Sequence, residues 1–408
     1  MITPRLCPRT RGPRLAAALL LLTGYASAQP PPFTLTILYC CLEDAQGVTV
    51  GSGGVLYGTD RGTGQVFSLA PPTSPGAAWT PTTLYTFNFP QPGPAIGSGG
   101  ELYGATARHS ACAGGQILDC SLVYSLAPPT SPGGTWTETA IYRFLAGSIP
   151  LGVVIGAGGV LYGSTYETLF SLSPPASPGS SWTFTQLYAF AGGSEGNDAG
   201  GGLVIGRGGA LFGTTSDGGV GYGTVFALTP PAAPGDAWTH SVLYRFAGGS
   251  SGTGPSGVTI GKDGVLYGTL SGGGNTACSV GCGTVFAQAP PSTPGGAWVF
   301  TTLYSFTGGD DGYDPNPGVA IGKNGELFGT TYGGGPGAYG PGTVFALTPP
   351  SSAGGTWTKT TVYSFTGYPN GGVPVYSLVF GADGVLYGTV DEDVGIQLMG
   401  GVFSLTTE

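Results

Sequence analysis

Charge is scarce in this chain. Only 8% of its 408 residues are Asp, Glu, Lys or Arg, 21 acidic residues outnumber 12 basic ones, and the net charge is −9. Four of the arginines, Arg5, Arg9, Arg11 and Arg14, precede Leu15, so the rest of the chain is more acidic still. Nucleic-acid binding needs clustered Lys and Arg to neutralise phosphates, and no such cluster exists. An anionic membrane surface is disfavoured for the same reason. Histidine is nearly absent: only His109 and His240 occur, and a lone surface imidazole is more often incidental than a general base. Beyond residue 28 no apolar run approaches the ~20 residues of a membrane helix, so membrane insertion is not expected.

The arginines lead into the apolar run Leu15 to Leu22 and then Ala26-Ser27-Ala28. That order of basic, apolar and small-residue segments reads as a secretory signal peptide over residues 1–28. The expected product is a soluble exported protein, secreted or extracellular, with the cell surface or periplasm as alternatives. Residues 29–408 are then expected to form one domain.

Glycine and proline are abundant, with 80 and 35 copies, a level that composition alone flags as low complexity. Against this stand 21 Tyr, 19 Phe and 6 Trp, gathered into short β-branched and aromatic runs between Gly, Pro, Asn-Gly and Asp-Gly. That is how strands are punctuated. Ordered all-β structure is the reading.

The motif Leu-Tyr/Phe-Gly recurs seven times, with glycines at 58, 104, 163, 213, 268, 329 and 388. Repeats of roughly this length holding four strands are the mark of propeller blades. The fifth unit shows the pieces: Gly257 to Gly261 as strand A, Val265 to Leu270 as B, Gly283 to Gln288 as C, and Trp298 to Phe306 as D, numbered from the ring centre outward. Lys262-Asp263-Gly264, Asn324-Gly325 and Asp383-Gly384 are expected to make tight A–B hairpins with both turn residues at positive φ. The Pro-Pro pairs after strand C end pairing and place D at the sheet margin. Simple alternation in D puts Trp182, Phe184, Tyr188 and Phe190 on one face and Thr183, Thr185 and Leu187 on the other.

Seven A–B–C sets occur, but only six are followed by a D strand. All six tryptophans open those D strands. The missing seventh is FTLTILY, Phe33 to Tyr39, near the other end of the sequence. The expected fold is therefore a seven-bladed β-propeller of four-stranded antiparallel blades, closed when this N-terminal strand pairs with the last blade. Closure removes two sheet edges that would otherwise invite aggregation. A closed ring of this kind is expected to be a monomer.

Units such as Gly318 to Pro350, GVAIGKNGELFGTTYGGGPGAYGPGTVFALTPP, preceded by FTGGDDGYDPNPG, resemble the GloVer (Gloeo_Verruco) tandem repeat of secreted bacterial proteins. The resemblance covers essentially everything after residue 33. It implies export and a cell-surface or extracellular setting, and it brings no established activity or catalytic residues. Unlike the anchored pattern of such proteins, this sequence ends directly after its last strand.

With A innermost, the B–C and D–A loops share one face, and the A–B and C–D turns the other. Variation concentrates on the first, as when a rigid scaffold carries binding loops. Its long B–C loops are Ala105 to Ser121, Thr269 to Cys282, Thr330 to Pro341 and Thr389 to Gly400. In an exported protein Cys112 with Cys120, and Cys278 with Cys282, read as local disulfides; zinc is the rival, but neither pair has its ligand spacing. Adjacent Cys40 and Cys41 are left without an assigned pairing. Acidic residues collect in the D–A loops, as Asp310, Asp311 and Asp314, Glu195 and Asp198, and Glu43 with Asp44, while Asp391, Glu392 and Asp393 form a B–C cluster. Of these, Asp310, Asp311, Asp314, Glu195, Asp198, Asp391 and Asp393 are the candidate binding residues. No cofactor is expected; calcium is the one that such acids admit, although none follows a dedicated calcium loop. No metal ligands are assigned.

No catalytic constellation is marked, and an enzyme is not expected, although a glycosidase needs only two suitably spaced acids. The leading expectation is an exported binding or scaffolding module that takes a glycan or protein on its variable B–C/D–A face. A structural matrix component and a carbohydrate-active enzyme are the alternatives.

Overall fold

The computed structural model describes residues 33–74, 76–109, 120–131, 133–145, 148–177, 180–200, 202–233, 235–293, 295–335, 340–352, 354–366, 373–391 and 400–407. The leader, Cys112, Glu392 and Asp393 lie outside the described residues, as do the side chains of Cys41, His109 and Cys120.

Each Leu-Tyr/Phe-Gly strand sits second in its own antiparallel sheet, and seven such sheets form the ring. In the first, Ala45–Val50, Leu56–Asp60, Gln65–Ala70 and Thr80–Thr86 pair in sequence order. In the sixth the inner strand is split into Tyr313–Pro315 and Ala320–Ile321, both paired with Leu327–Gly333. The only helical segments described are six three-residue 3-10 turns. The seventh sheet contains Val379–Phe380, Leu386–Val390 and Gly400–Thr407, and its outer strand is Phe33–Leu42, with Phe33 opposite Thr407 and Leu35 opposite Leu405. The N-terminal strand thus closes the ring.

The invariant glycine of the motif has a steric cause. In every blade it pairs with the aromatic residue of strand C, as Gly213 does with Phe226 and Gly388 with Phe403. That ring lies flat across the glycine, so a Cβ at Gly213 would come within 2.7 Å of the Phe226 ring, and the other six positions are at least as close. Glycine is required here for close approach, with no demand on φ. Six of these seven C-strand aromatics are among the largest fully buried side chains.

Neighbouring blades are pinned by two further repeated devices. Each D-strand tryptophan meets, edge to face, the aromatic of the motif in the preceding blade: Tyr57 with Trp136, Tyr103 with Trp182, Tyr162 with Trp238, Phe212 with Trp298, Tyr267 with Trp357, and across the seam Tyr387 with Trp79. The tryptophans are therefore blade packing. In three blades the hydroxyl after the motif glycine donates to the next blade: Thr59 Oγ1 to the Gln91 carbonyl at 3.1 Å, Ser164 Oγ to Ala199 at 3.0 Å, and Thr269 Oγ1 to Asn316 at 2.8 Å. At the seam Thr389 Oγ1 accepts from the Gly47 amide of the first blade at 3.3 Å. Satisfying buried polar groups only across an interface fixes how the blades sit together.

Two local expectations are corrected. Strand D does not alternate simply, because every C–D pair carries a β-bulge. In the third blade Phe170 faces Gln186 while Leu169 faces Tyr188, leaving Leu187 as the extra residue. One inserted residue inverts the side-chain parity beyond it. Trp182 and Phe184 therefore pack with Phe170 and Leu172 on one side of the blade, and Leu187, Tyr188 and Phe190 pack with Leu169 on the other. The bulge recurs in all seven blades, with Leu38 as its extra residue in the closing strand.

The Asp-Gly and Asn-Gly hairpins also differ from expectation. Only Gly264, Gly325 and Gly384 have positive φ; Asp263, Asn324 and Asp383 do not. Gly261 N donates to Val265 O at 2.8 Å and Gly264 N to Gly261 O at 3.1 Å, which is a three-residue loop with a type I turn and glycine at its left-handed position. Ser52-Gly53-Gly54 uses two left-handed glycines instead, at φ 67° and 75°.

Candidate functional site: the loop face and its axial cavity

The B–C and D–A connections emerge together, because A and C run one way and B and D the other. Among the described residues nine large hydrophobic side chains are exposed. Eight belong to this face: Phe89, Leu145, Tyr166, Val220, Tyr222, Val280, Tyr313 and Tyr332. The ninth, Val299, begins an outer strand. Monomeric proteins rarely concentrate exposed apolar groups in this way unless the surface meets something.

At the centre of the same face the inner strands leave a cavity of about 570 Å³, within the range of about 300–1,000 Å³ usual for small-molecule sites. Gly93, Leu151, Gly200, Ser256, Pro317 and Tyr376 bring six blades to its wall. Among the described residues Asp198 is its only carboxylate, and no Lys, Arg or His lines it. Ser164, Ser216, Ser271 and Ser377 add hydroxyls. Tyr376 donates to Gln46 Oε1 at 2.5 Å; burial pushes its phenol up to about 12, with the Asp44 and Asp391 charges adding to the effect. Gln46 in turn donates to Asp44, which also takes Arg61 at 2.6 Å. This chain of contacts lies across the seam between last and first blades.

The acidic candidates do not converge. Asp311 is committed to turn and seam structure: it accepts from Tyr304 at 2.8 Å, from the Thr307 amide at 2.8 Å and from Lys359 at 2.8 Å. The Lys359 side chain is only 6% exposed, and its ammonium also bonds Asp311 O and Thr361 Oγ1. Burial pushes the Asp311 carboxyl up, but the hydrogen bonds from Lys359, Thr307 and Tyr304 outweigh it and hold it below the ordinary value. Glu195 takes the Tyr188 hydroxyl at 2.5 Å, and burial followed by that bond pushes Tyr188 up to about 12. Asp314 is half-buried, and desolvation raises its pKa. Asp310 is exposed, and Asp391 stands half-buried at the seam. Among the described candidates only Asp198 reaches the cavity. Among the described residues no group of three or more His, Cys, Asp or Glu is gathered as a metal ion would need.

Non-glycine residues with left-handed backbone occur at three described positions, Phe89, Asp198 and Asp314, with φ 53°, 59° and 54°. Phe89 and Asp198 are in D–A loops, and Asp314 is in the first segment of the split inner strand. Such strain costs about 1–3 kcal/mol per residue and collects at functional sites.

Cys278 and Cys282 form a disulfide, with Cα atoms 5.0 Å apart, beneath the next D–A turn. The Cys282 carbonyl accepts from the Asp314 amide at 3.0 Å. Cys40 is also disulfide-bonded. His240, in an outer strand, stacks on Tyr188 at 4.3 Å and 12°. Burial lowers its pKa, and its Nε2 has no partner.

Sequence reasoning chose the acids of this face and passed over its aromatics. Their signal was irregularity: Phe89, Tyr166, Tyr222, Tyr313 and Tyr332 have no counterpart in most blades, whereas the repeated tryptophans are packing.

The Gloeobacter/Verrucomicrobia repeat family matches residues 89–294 and 234–408. No curated protein matches the chain. Among solved structures, a streptogramin B lyase is 16% identical with a TM-score of 0.57, over 92% of this chain and 98% of that one. Virginiamycin B lyase from Staphylococcus aureus is 14% identical with a TM-score of 0.56, over 92% and 99%. The extracellular domain of a hybrid two-component system protein from B. thetaiotaomicron is 10% identical with a TM-score of 0.54, over 92% of this chain and 41% of that one. At these identities the likeness is one of fold.

Proposed function

The chain belongs to the Gloeobacter/Verrucomicrobia repeat family, and we propose that it is an exported bacterial binding module that takes a glycan on its B–C/D–A face. One observation carries the reading: five exposed aromatic rings share the face that holds the axial cavity. A ring offers the apolar C–H side of a sugar a flat surface while its polar edge stays wet. The surrounding turns of Gly, Ser and Asn add backbone and hydroxyl partners without the side-chain entropy of long charged residues. Export rests on the leader, and no described helix is long and apolar enough to cross a membrane.

The test is a glycan array followed by affinity electrophoresis with residues 29–408. Retention by at least one polysaccharide is expected. Replacing Tyr166 and Tyr332 together by Ala should weaken it about thirtyfold, at about 1 kcal/mol per stacked ring, with thermal unfolding unchanged. No glycan bound, with a protein recovered from extracellular extract instead, would transfer the face to protein recognition.

A further inference from the structure

We propose that the axial cavity is where the ligand is read, that it takes an uncharged, hydroxyl-rich end of a saccharide, and that Asp198 is the acceptor orienting it. The inference rests on the glycan reading above and adds to it a pocket, a ligand class and a specificity residue.

Asp198 is held in place from several directions. Its amide donates to the Tyr166 carbonyl at 2.7 Å, and its own carbonyl accepts from Gly200 N at 2.8 Å and Ser216 N at 3.0 Å. The Ser216 hydroxyl donates to Oδ2 at 2.5 Å. No described residue donates to Oδ1, which leaves one carboxylate oxygen available in the cavity wall. The same loop step in the next blade is Gly254, at φ 62°, the residue that adopts this conformation without steric penalty. The chain places a carboxylate where glycine would be easier, at a loop step that lines the cavity here and, as Gly254, in the next blade. Its counterpart Asp314 is not part of the wall.

The bond from Asp198 N to Tyr166 O also ties the acceptor to an exposed ring, Tyr166 being 44% exposed. The chemistry of the wall then selects the class. An anionic sugar would meet Asp198 with no Lys, Arg or His among the described lining residues to compensate it, which is unfavourable in a partly desolvated site. Hydroxyls suit it: Asp198 accepts, Ser271 can both donate and accept, and Ser256 and Ser377, whose protons go to Thr269 Oγ1 and the Pro317 carbonyl, accept.

The experiment is calorimetric titration of residues 29–408 with cellohexaose, mannohexaose and xylohexaose, beside a galacturonate hexamer and a chitosan hexamer. The variants are Asp198→Asn, which tolerates the left-handed backbone and keeps an acceptor for Ser216, and Ser256→Phe, which fills the cavity; unchanged melting shows that each is folded. The expected result is binding of a neutral hexamer, weakened about tenfold by Asp198→Asn, as when a charged acceptor becomes neutral, and abolished by Ser256→Phe. A neutral hexamer bound equally by wild type and both variants would overturn the cavity assignment and leave the glycan reading standing. Preference for the galacturonate or chitosan hexamer would overturn the uncharged class. Wild-type protein that binds none of these probes and no arrayed glycan would remove both readings.

Discussion

Phe33 packs edge to face against Phe328, with ring centroids 6.3 Å apart and planes at 69°, and so holds in the closing strand the place that tryptophan holds in the other six blades. The seventh contact of the aromatic ring is thus made between residues from distant parts of the sequence. Replacing Phe33 by Ala should cost about 2 kcal/mol, the worth of a largely buried aromatic side chain, in urea unfolding. Phe33→Trp should be neutral or stabilising. Val299→Ala, at a residue 57% exposed, is the control and should change little. Equal effects of Phe33→Ala and Val299→Ala would show that closure contributes nothing to stability.

The fifth and sixth blades meet through Tyr304, Asp311 and Lys359, where the fourth and fifth use Tyr244 stacked on Phe300 at 4.1 Å. Lys359→Phe alone leaves Asp311 without its cation and should destabilise by about 2 kcal/mol, below the usual cost of a fully buried pair because Asp311 is partly exposed. Adding Asp311→Ser, which copies Ser251 of the fourth-to-fifth connection, should recover at least half of that. The wild-type carboxyl is held below its ordinary pKa, so its contribution is full at neutral pH and is lost as pH falls below about 4. A double variant no more stable than the single would contradict this account.

His240 stands where neighbouring blades carry Phe184 and Phe300, stacked on the preceding tyrosine in the same way. Its folded pKa is lowered, chiefly by burial, so the folded state favours the neutral ring. The stability it contributes is present above about pH 6.5 and declines as pH falls below it. His240→Phe should raise stability by about 1 kcal/mol and flatten the dependence between pH 7 and 5. An unchanged slope in melting temperature against pH would contradict the assignment.

Gln288 is fully buried with neither amide atom partnered, at a strand C position occupied by Leu69, Leu126, Leu172, Leu228, Leu347 and Leu405 in the other blades. Gln288→Leu should stabilise the protein by about 1–3 kcal/mol, the penalty of an unsatisfied buried amide. Loss of stability in this variant would mean that the amide is satisfied by a partner such as buried water.

The fold was legible because its rules are repetitive. One glycine under one aromatic, a tryptophan at each outer strand, and six D strands for seven A–B–C sets led directly to a closed ring. What was not legible depended on a single inserted residue or dihedral angle. Leu187 reads like any strand residue, yet as the bulge it sends Tyr188 to the opposite side of the blade from Phe184. Asp263 reads as a turn residue at positive φ, yet only Gly264 takes that angle. At the face, acid residues drew attention by their charge, but Asp311 and Glu195 accept from Tyr304 and Tyr188 seven residues before them, and only coordinates separate such roles from that of Asp198.

Closure between Phe33–Leu42 and Gly400–Thr407 also has a kinetic consequence. Six blades can assemble from hairpins that are near neighbours along the chain, whereas the seventh must recruit its outer strand from far away, the kind of non-local contact that slows folding. On a chain that emerges N-terminus first, Phe33–Leu42 is the first strand of the ring to be made and the last to find its partner. Until Gly400–Thr407 arrives, that strand is an unpaired segment able to dock on another copy's open seventh sheet, so crowding during biosynthesis favours exchange of this one strand between molecules.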